Sequence, residues 1–265
     1  MQKKPAKKYA ARKPVVKRRL ASRKPGWTPA KAYKNEEFLM SSQARTVRML
    51  CEYLEPQTRL KRQKVEHAII FWGSARLRPK PKSGPDYCGL ATELGERLAR
   101  WTVRNHSPES RYYFCCGGGP GIMEASAKGV ARVDKRLNVA LNISLPFEQS
   151  VNDHVTPELA FEFHYFFMRK FWFLKLAAAM VVFPGGFGTF DELFEMLTLV
   201  QTGRAQPMPF VLFGREFWNE VVDFEALARR GLISAADVKQ IKFADTVDEA
   251  FAHLSARLTS VSPSP

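Results

Sequence analysis

Hydrophobic and polar positions change rhythm along this chain in a regular alternation. Short, mostly apolar runs recur at His67 to Trp72, Tyr112 to Cys116, Leu137 to Leu145, Leu159 to Phe163, Ala177 to Phe183 and Pro209 to Phe213, and a more mixed segment follows at Val238 to Phe243. Each is too short for a buried helix and bounded by turn residues, and each reads as a strand. Between them, apolar residues return every three or four positions. That spacing predicts helices over Tyr87 to Val103, Ile122 to Val133, Tyr165 to about Ala178, about Phe190 to Val200, Phe217 to Ala228 and Thr246 to Leu258. Upstream, Asn35 is placed to cap a helix from Glu36 on which Val47, Leu50, Cys51 and Leu54 share a face, with Pro56 expected to break it. Strands that are apolar throughout need cover on both faces. Strands alternating with helices therefore predict an α/β fold with a doubly wound, mostly parallel sheet.

Charge alters this picture at one end only. Residues 1–34 hold 13 of the 41 lysines and arginines and no Asp or Glu, so the other 28 basic residues nearly balance 26 acidic ones. The net charge of +15 thus belongs to the tail. The same segment carries Pro5, Pro14, Pro25 and Pro29 and few large apolar residues, so it is expected to be disordered. Its function is open between a solubilising extension and an electrostatic arm making unspecific, salt-sensitive contact with nucleic acid. Its prolines spoil the amphipathic helix of a transit peptide. Residues 35–260 are expected to form one domain, long enough to bury a real core. No apolar segment follows the early charges, and the most apolar stretch, Leu176 to Phe190, is too short to span a bilayer and contains Pro184. A cytoplasmic protein with no membrane partner is expected. The four cysteines, Cys51, Cys88, Cys115 and Cys116, lack metal spacing and read as buried thiols. The histidines are scattered, so no metal site is expected.

The candidate chemistry lies in three turns: Gly73-Ser74-Ala75-Arg76, Gly117 to Gly121, and Pro184-Gly185-Gly186-Phe187-Gly188-Thr189-Phe190-Asp191-Glu192. In a doubly wound sheet these converge at the carboxyl ends of the strands, where such folds bind ligands. Glycine lets a ligand approach the backbone, and the free amides of a helix start favour a phosphate. Thr189 is expected to cap the last helix, with Asp191 and Glu192 in its first turn. Thr189-Phe190-Asp191-Glu192 also fits a capping box, a purely structural reading. None of the turns is a dinucleotide fingerprint or a Walker loop. Arg169 shares a helical face with Tyr165, Phe166, Trp172, Phe173 and Leu176. An arginine there is either paired in the core or reaching for an anion. Lys170 and Lys175 point elsewhere.

Taken together, Gly117-Gly118-Gly119-Pro120-Gly121-Ile122-Met123-Glu124, the pair Arg169-Lys170 and the turn from Pro184 to Glu192 resemble the Lonely Guy family. Its members are cytokinin riboside 5′-monophosphate phosphoribohydrolases, earlier described as lysine decarboxylases. Asn142 to Gln149 and Leu197 to Gly203 resemble its longer bacterial branch. The resemblance spans roughly residues 65 to 230 and leaves the tail outside. It implies a Rossmann-like fold, at least a homodimer, no cofactor, and cleavage of the N-glycosidic bond of a nucleoside 5′-monophosphate to free base and ribose 5-phosphate. The family's catalytic arginine and glutamate fall on Arg169 and Glu192. Its phosphate turn falls on Gly185, Gly186, Gly188 and Thr189. Ser74, Arg76, Gly118, Gly119, Met123, Lys170 and Asp191 would complete the nucleotide pocket. Lysine decarboxylation would need pyridoxal phosphate on a Schiff-base lysine with an acidic partner for the ring, and no lysine stands in such a setting. The alternative is a non-catalytic carrier: proteins that look like molybdenum-cofactor carriers share this fold and turn and hold a pterin uncut.

Overall fold

The computed structural model describes residues 28–145 and 150–260. The expected disordered tail therefore lies outside the described residues for all but its last positions, as do Pro146 to Gln149 of the Asn142 to Gln149 stretch. The chain falls into two compact units, Met1–Arg45 and Thr46–Pro265. In the first, Asn35 caps a short helix α1 (Glu36–Leu39) by accepting from the Phe38 amide.

The second unit is built on seven strands, β1 (Ala68–Trp72), β2 (Tyr113–Cys116), β3 (Asn138–Ile143), β4 (Ala160–Phe163), β5 (Ala177–Val182), β6 (Phe210–Phe213) and β7 (Ile241–Ala244). They pair in the order β4-β3-β2-β1-β5-β6-β7, every ladder parallel. The chain works outward from β1 to β4, then returns to the other side of β1 and works outward again. The reversal between β1 and β5 is a topological switch point, and it opens a crevice at the carboxyl ends of these two strands.

Helices α2 (Arg45–Arg62), α3 (Tyr87–Asn105), α4 (Ile122–Asp134), α5 (Phe166–Leu176), α6 (Phe187–Gln201), α7 (Arg215–Val221), α8 (Phe224–Arg229), α9 (Ala235–Lys239) and α10 (Val247–Ser260) cover the sheet. The alternation of each strand sends its residues to two separate cores. Ile70, Trp72, Cys115, Met180, Val182 and Leu212 meet Trp172, Phe173, Leu193 and Met196 of α5 and α6 on one face. Ile69, Phe71, Phe114, Val181, Phe183 and Val211 meet Leu94, Ile122 and Leu254 of α3, α4 and α10 on the other. That division is why the strands read as continuous apolar runs.

Several expectations fail. The helix from Glu36 is interrupted between α1 and α2, and that from Phe217 to Ala228 is split into α7 and α8. Val238 lies in α9 rather than in a strand. Val47, Leu50 and Leu54 of the expected apolar face are exposed. Pro56 does not break a helix but lies buried inside α2. A proline there lacks the N–H that would bond the carbonyl four residues back, at Glu52. Trp172 Nε1–H donates to that carbonyl at 3.0 Å, while the Glu52 carboxylate accepts from the amides of His164 and Tyr165. Tertiary donors thus repair what the proline removes. Among the cysteines, Cys88, Cys115 and Cys116 are buried as expected, but Cys51 is exposed on α2.

Candidate functional site

Three turns meet at the switch point, and Ser74 holds them together. Its amide donates to the Pro184 carbonyl at 3.0 Å, and its own carbonyl accepts from the Ile122 amide at 3.2 Å. The turn after β1 is thereby bonded to the turn after β5 and to the start of α4. Glycine is required at Gly121, where φ is +70° and a Cβ would lie 2.4 Å from the Ser74 carbonyl oxygen. Gly118, at φ +74°, passes its carbonyl to Asn152, whose amide and side chain both donate to it at 2.9 Å. Gly117 leaves room for Met123 and for the guanidinium of Arg169, whose Nη1 would lie 3.9 Å from a Cβ at that position. Ser74, Gly118, Gly119 and Met123 are thus gathered at one end of the sheet, and Arg76 is exposed beyond them.

The turn after β5 corrects the sequence reading. Helix α6 starts at Phe187 with Gly186 as its N-cap, and no side chain caps it. Thr189 is therefore the third helical residue, and Asp191 and Glu192 stand in the second turn. No capping box forms. Gly186 and Gly188 supply a start that needs no side-chain partner, so the helix begins before the threonine. The Phe190 amide is the first to close a bond within the helix, to Gly186 at 3.1 Å, and the amides ahead of it have no intrahelical acceptor. Thr189 is buried and packs on Gly185, where a Cβ would lie 2.1 Å from its hydroxyl oxygen. A Cβ at Gly186 or Gly188 would meet nothing within 4 Å, and both residues are exposed. The fold does not need glycine at these two positions, so what they leave open is access to the amides from outside. Phe187 between them is 97% exposed.

Arg169 and Glu192 come from different helices, α5 and α6, and meet in the interior. Arg169 Nη2 donates to Glu192 Oε1 at 2.8 Å, and each side chain is only 11% exposed. The guanidinium lies 5.4 Å from the ring centre of Phe166 and 5.7 Å from that of Phe173. Its Nε–H is buried with no acceptor. Of the face expected to surround Arg169, Trp172, Phe173 and Leu176 are buried, but Phe166 is half exposed at the first helical position. Removal from water pushes Glu192 up to about 7. Arg169 draws it back, Asp191 raises it further, and Lys170 and Glu195 act more weakly. Burial therefore outweighs the ion pair.

Lys170 does not share the Arg169 contact and pairs with other carboxylates. Its ammonium donates to Asp191 at 2.7 Å and lies 3.0 Å from Glu195. Partial burial disfavours its charge, but these two carboxylates outweigh that and hold its pKa above the ordinary lysine value. Such a lysine stays protonated and tethered, which suits a clamp and not a Schiff base. Lys175 is exposed. Sequence reasoning missed Glu195, one helical turn beyond Asp191, and Trp72, whose buried indole N–H has no acceptor. The first was visible as an i, i+4 spacing; the second carried no signal in an apolar strand.

A cavity of about 580 Å³ lies elsewhere. It runs between residues 77–80, α3 and α4, and touches the site only at the back of the glycine turn, at Pro120 and Gly121. It contains neither Arg169, Glu192 nor the start of α6.

Fold and site together define a class: a doubly wound, Rossmann-like α/β domain with an open, uncapped helix start and a buried arginine–glutamate pair near its switch point. Comparison with known proteins narrows it. Residues 123–254 match the family model described as "Possible lysine decarboxylase". A cytokinin riboside 5′-monophosphate phosphoribohydrolase of Arabidopsis thaliana is 25% identical over 199 residues, 71% of this chain and 82% of that protein. The enzyme of the same name from Rhodococcoides fascians is 26% identical over 191 residues, 68% of this chain and 92% of that protein. A solved structure, the molybdenum cofactor binding protein from the phototrophic bacterium Rippkaea orientalis, superposes with a TM-score of 0.48 at 17% identity, covering 72% of this chain and 96% of that one. With the motifs from Gly117 to Glu192 in place, the chain belongs to the Lonely Guy family. No helix among the described residues is long and apolar enough to cross a membrane.

Proposed function

We propose that this protein is a nucleoside 5′-monophosphate phosphoribohydrolase that hydrolyses the N-glycosidic bond of AMP or of a cytokinin riboside monophosphate. The observation that carries the reading is the Arg169–Glu192 pair, at 2.8 Å, with Glu192 on the same helix whose open start carries Gly186 and Gly188. The names of its relatives support the reaction class.

The 5′-phosphate would sit on the free amides of residues 186 to 189, whose hydrogen bonds and helix dipole favour an anion. This seats the ribose against Glu192. Departure of the base breaks the C1′–N bond and leaves positive charge on the sugar, as in glycoside hydrolysis. Ionised Glu192 stabilises that charge and takes a proton from the water whose oxygen bonds C1′; the proton reaches the departing base nitrogen. The products are free base and ribose 5-phosphate. Arg169 holds Glu192 in place and has an unused Nε–H for an anion. With a pKa of about 7, Glu192 exchanges protons readily at neutral pH. Self-association is part of the same proposal: Phe166, Phe167, Phe171, Phe187 and Phe194 are large apolar residues left exposed on α5 and α6.

The test is incubation of the purified protein with AMP, GMP, CMP and isopentenyladenosine monophosphate, following free base, with Glu192→Gln alongside. Glutamine keeps the shape and can still accept from Arg169 while the charge is lost, and circular dichroism checks that the variant is folded. Base release by the parent and none by the folded variant is the expected result. No release from any nucleotide by a well-folded parent would sink the enzyme reading and leave a binding module.

A further inference from the structure

The space between α5, α6 and the end of β1 contains a second set of convergent polar groups. Strand alternation turns Trp72 toward α5 and α6, where its ring meets Phe173 edge-on at 5.5 Å. The residue is 3% exposed, yet its indole Nε1 is buried without a hydrogen-bond partner. Buried donors are rarely left so; those that are point to a missing water or ligand. Trp72 lines a small cavity together with Lys170, Phe173, Glu192, Glu195 and Met196. Its free volume of about 10 Å³ is on the order of one water molecule. A buried water needs two to four polar partners, and a donor from Trp72, carboxylates from Glu192 and Glu195 and the Lys170 ammonium supply them. Arg169 takes Oε1 of Glu192, leaving Oε2 to accept.

We propose that this cavity holds one ordered water bridging the Trp72 indole N–H to the Glu192 carboxylate, and that Trp72 is a positioning residue for that acid. The water accepts from the indole and donates to Glu192. It restrains the carboxylate and favours its ionised form. The charged and titratable groups around Glu192 are Arg169 and Lys170 from α5, Asp191 and Glu195 from its own helix, and the Cys115 thiol from β2. Trp72 adds the one neutral donor from β1. The water lies behind Glu192 and is not the nucleophile. The catalytic importance of the bridge rests on the function proposed above; its existence does not.

Two measurements decide it. A high-resolution crystal structure of the full chain should show a water within about 3.2 Å of both Trp72 Nε1 and a Glu192 oxygen; a dry cavity, or a water bonded to only one of them, overturns the proposal. Trp72→Phe keeps a ring and deletes the N–H. Carbon-13 titration of the Glu192 carboxylate, assigned with Glu192→Gln, should then move its midpoint upward by about one unit, a tenfold change in proton affinity. The acid limb of base release should move with it. An unmoved midpoint in folded Trp72→Phe refutes the bridge. Because the midpoint is read without substrate, a parent that releases no base would sink the enzyme reading and leave this test standing.

Discussion

Arg169–Glu192 and Lys170–Asp191 join the same two helices, one residue apart on each, and behave as different objects. The first pair faces the sheet, with both side chains 11% exposed; in the second, Lys170 is 19% and Asp191 54% exposed. Both are short, at 2.8 and 2.7 Å. One step of rotation about α5 and α6 decides whether water screens the charges. Where it does, the pair is a clamp worth ~0–1 kcal/mol. Where it does not, the carboxylate's proton affinity rises into the neutral range and the group becomes useful for chemistry. Contact distance alone would not separate the two.

The contrast is broken most directly at its buried end. Arg169→Ala leaves Glu192 without its counter-charge, so denaturant melts should show a loss of about 3–5 kcal/mol. Base release should fall on the order of 10²–10³-fold. A smaller loss of activity than Lys170→Ala produces would reverse the ranking of the two pairs.

A pH series sharpens it next. The folded chain holds the Glu192 proton until about pH 7, whereas the unfolded chain releases it near the ordinary value of 4.5. The stability tied to this group is therefore complete below 4.5, declines as pH rises toward 7 and is level above. The drop should be up to about 3 kcal/mol in the parent and absent in Glu192→Gln. Identical stability profiles for the two proteins would mean that Glu192 is wetter than its surroundings indicate.

The open start of α6 gives a smaller effect. Gly186→Ala adds a Cβ where nothing stands within 4 Å, so stability should change by no more than about 0.5 kcal/mol. If the amides hold the phosphate, KM should rise about tenfold through crowding of the bound anion, about 1.4 kcal/mol. An unchanged KM would move the phosphate elsewhere. Smallest of all, Lys170→Ala should cost within about 1 kcal/mol and change base release by less than about threefold. A hundredfold loss would show that the exposed pair takes part in the reaction after all.

How far the sequence reaches is visible in particular residues. All seven strands were legible within a few residues at their ends; the central ones, buried on both faces, have few polar positions to blur them, whereas the edge strands expose Glu162 and Lys242. The three turns were legible from glycine. Pro56 was misread because the sequence shows the missing N–H but not the indole of Trp172 that satisfies Glu52 from 120 positions away. Thr189 was misread because Thr-Xaa-Xaa-Glu is a strong local cap signal, and only the backbone reveals that Gly186 starts the helix first.

By itself the sequence determined the doubly wound sheet, the convergence of Ser74, Gly118 and Gly186 at its carboxyl edge, and the candidacy of Arg169 and Glu192. Periodicity and glycine placement are local properties, and these follow from them. Tertiary structure alone decided which arginine meets which carboxylate, that Glu192 is no helix cap, and that Trp72 lines a cavity with the same acid. Those facts depend on the rotation of α5 and α6 against β1 and on the exclusion of water between them. Burial of a charge is a property of everything packed around it, and no spacing along the chain encodes it.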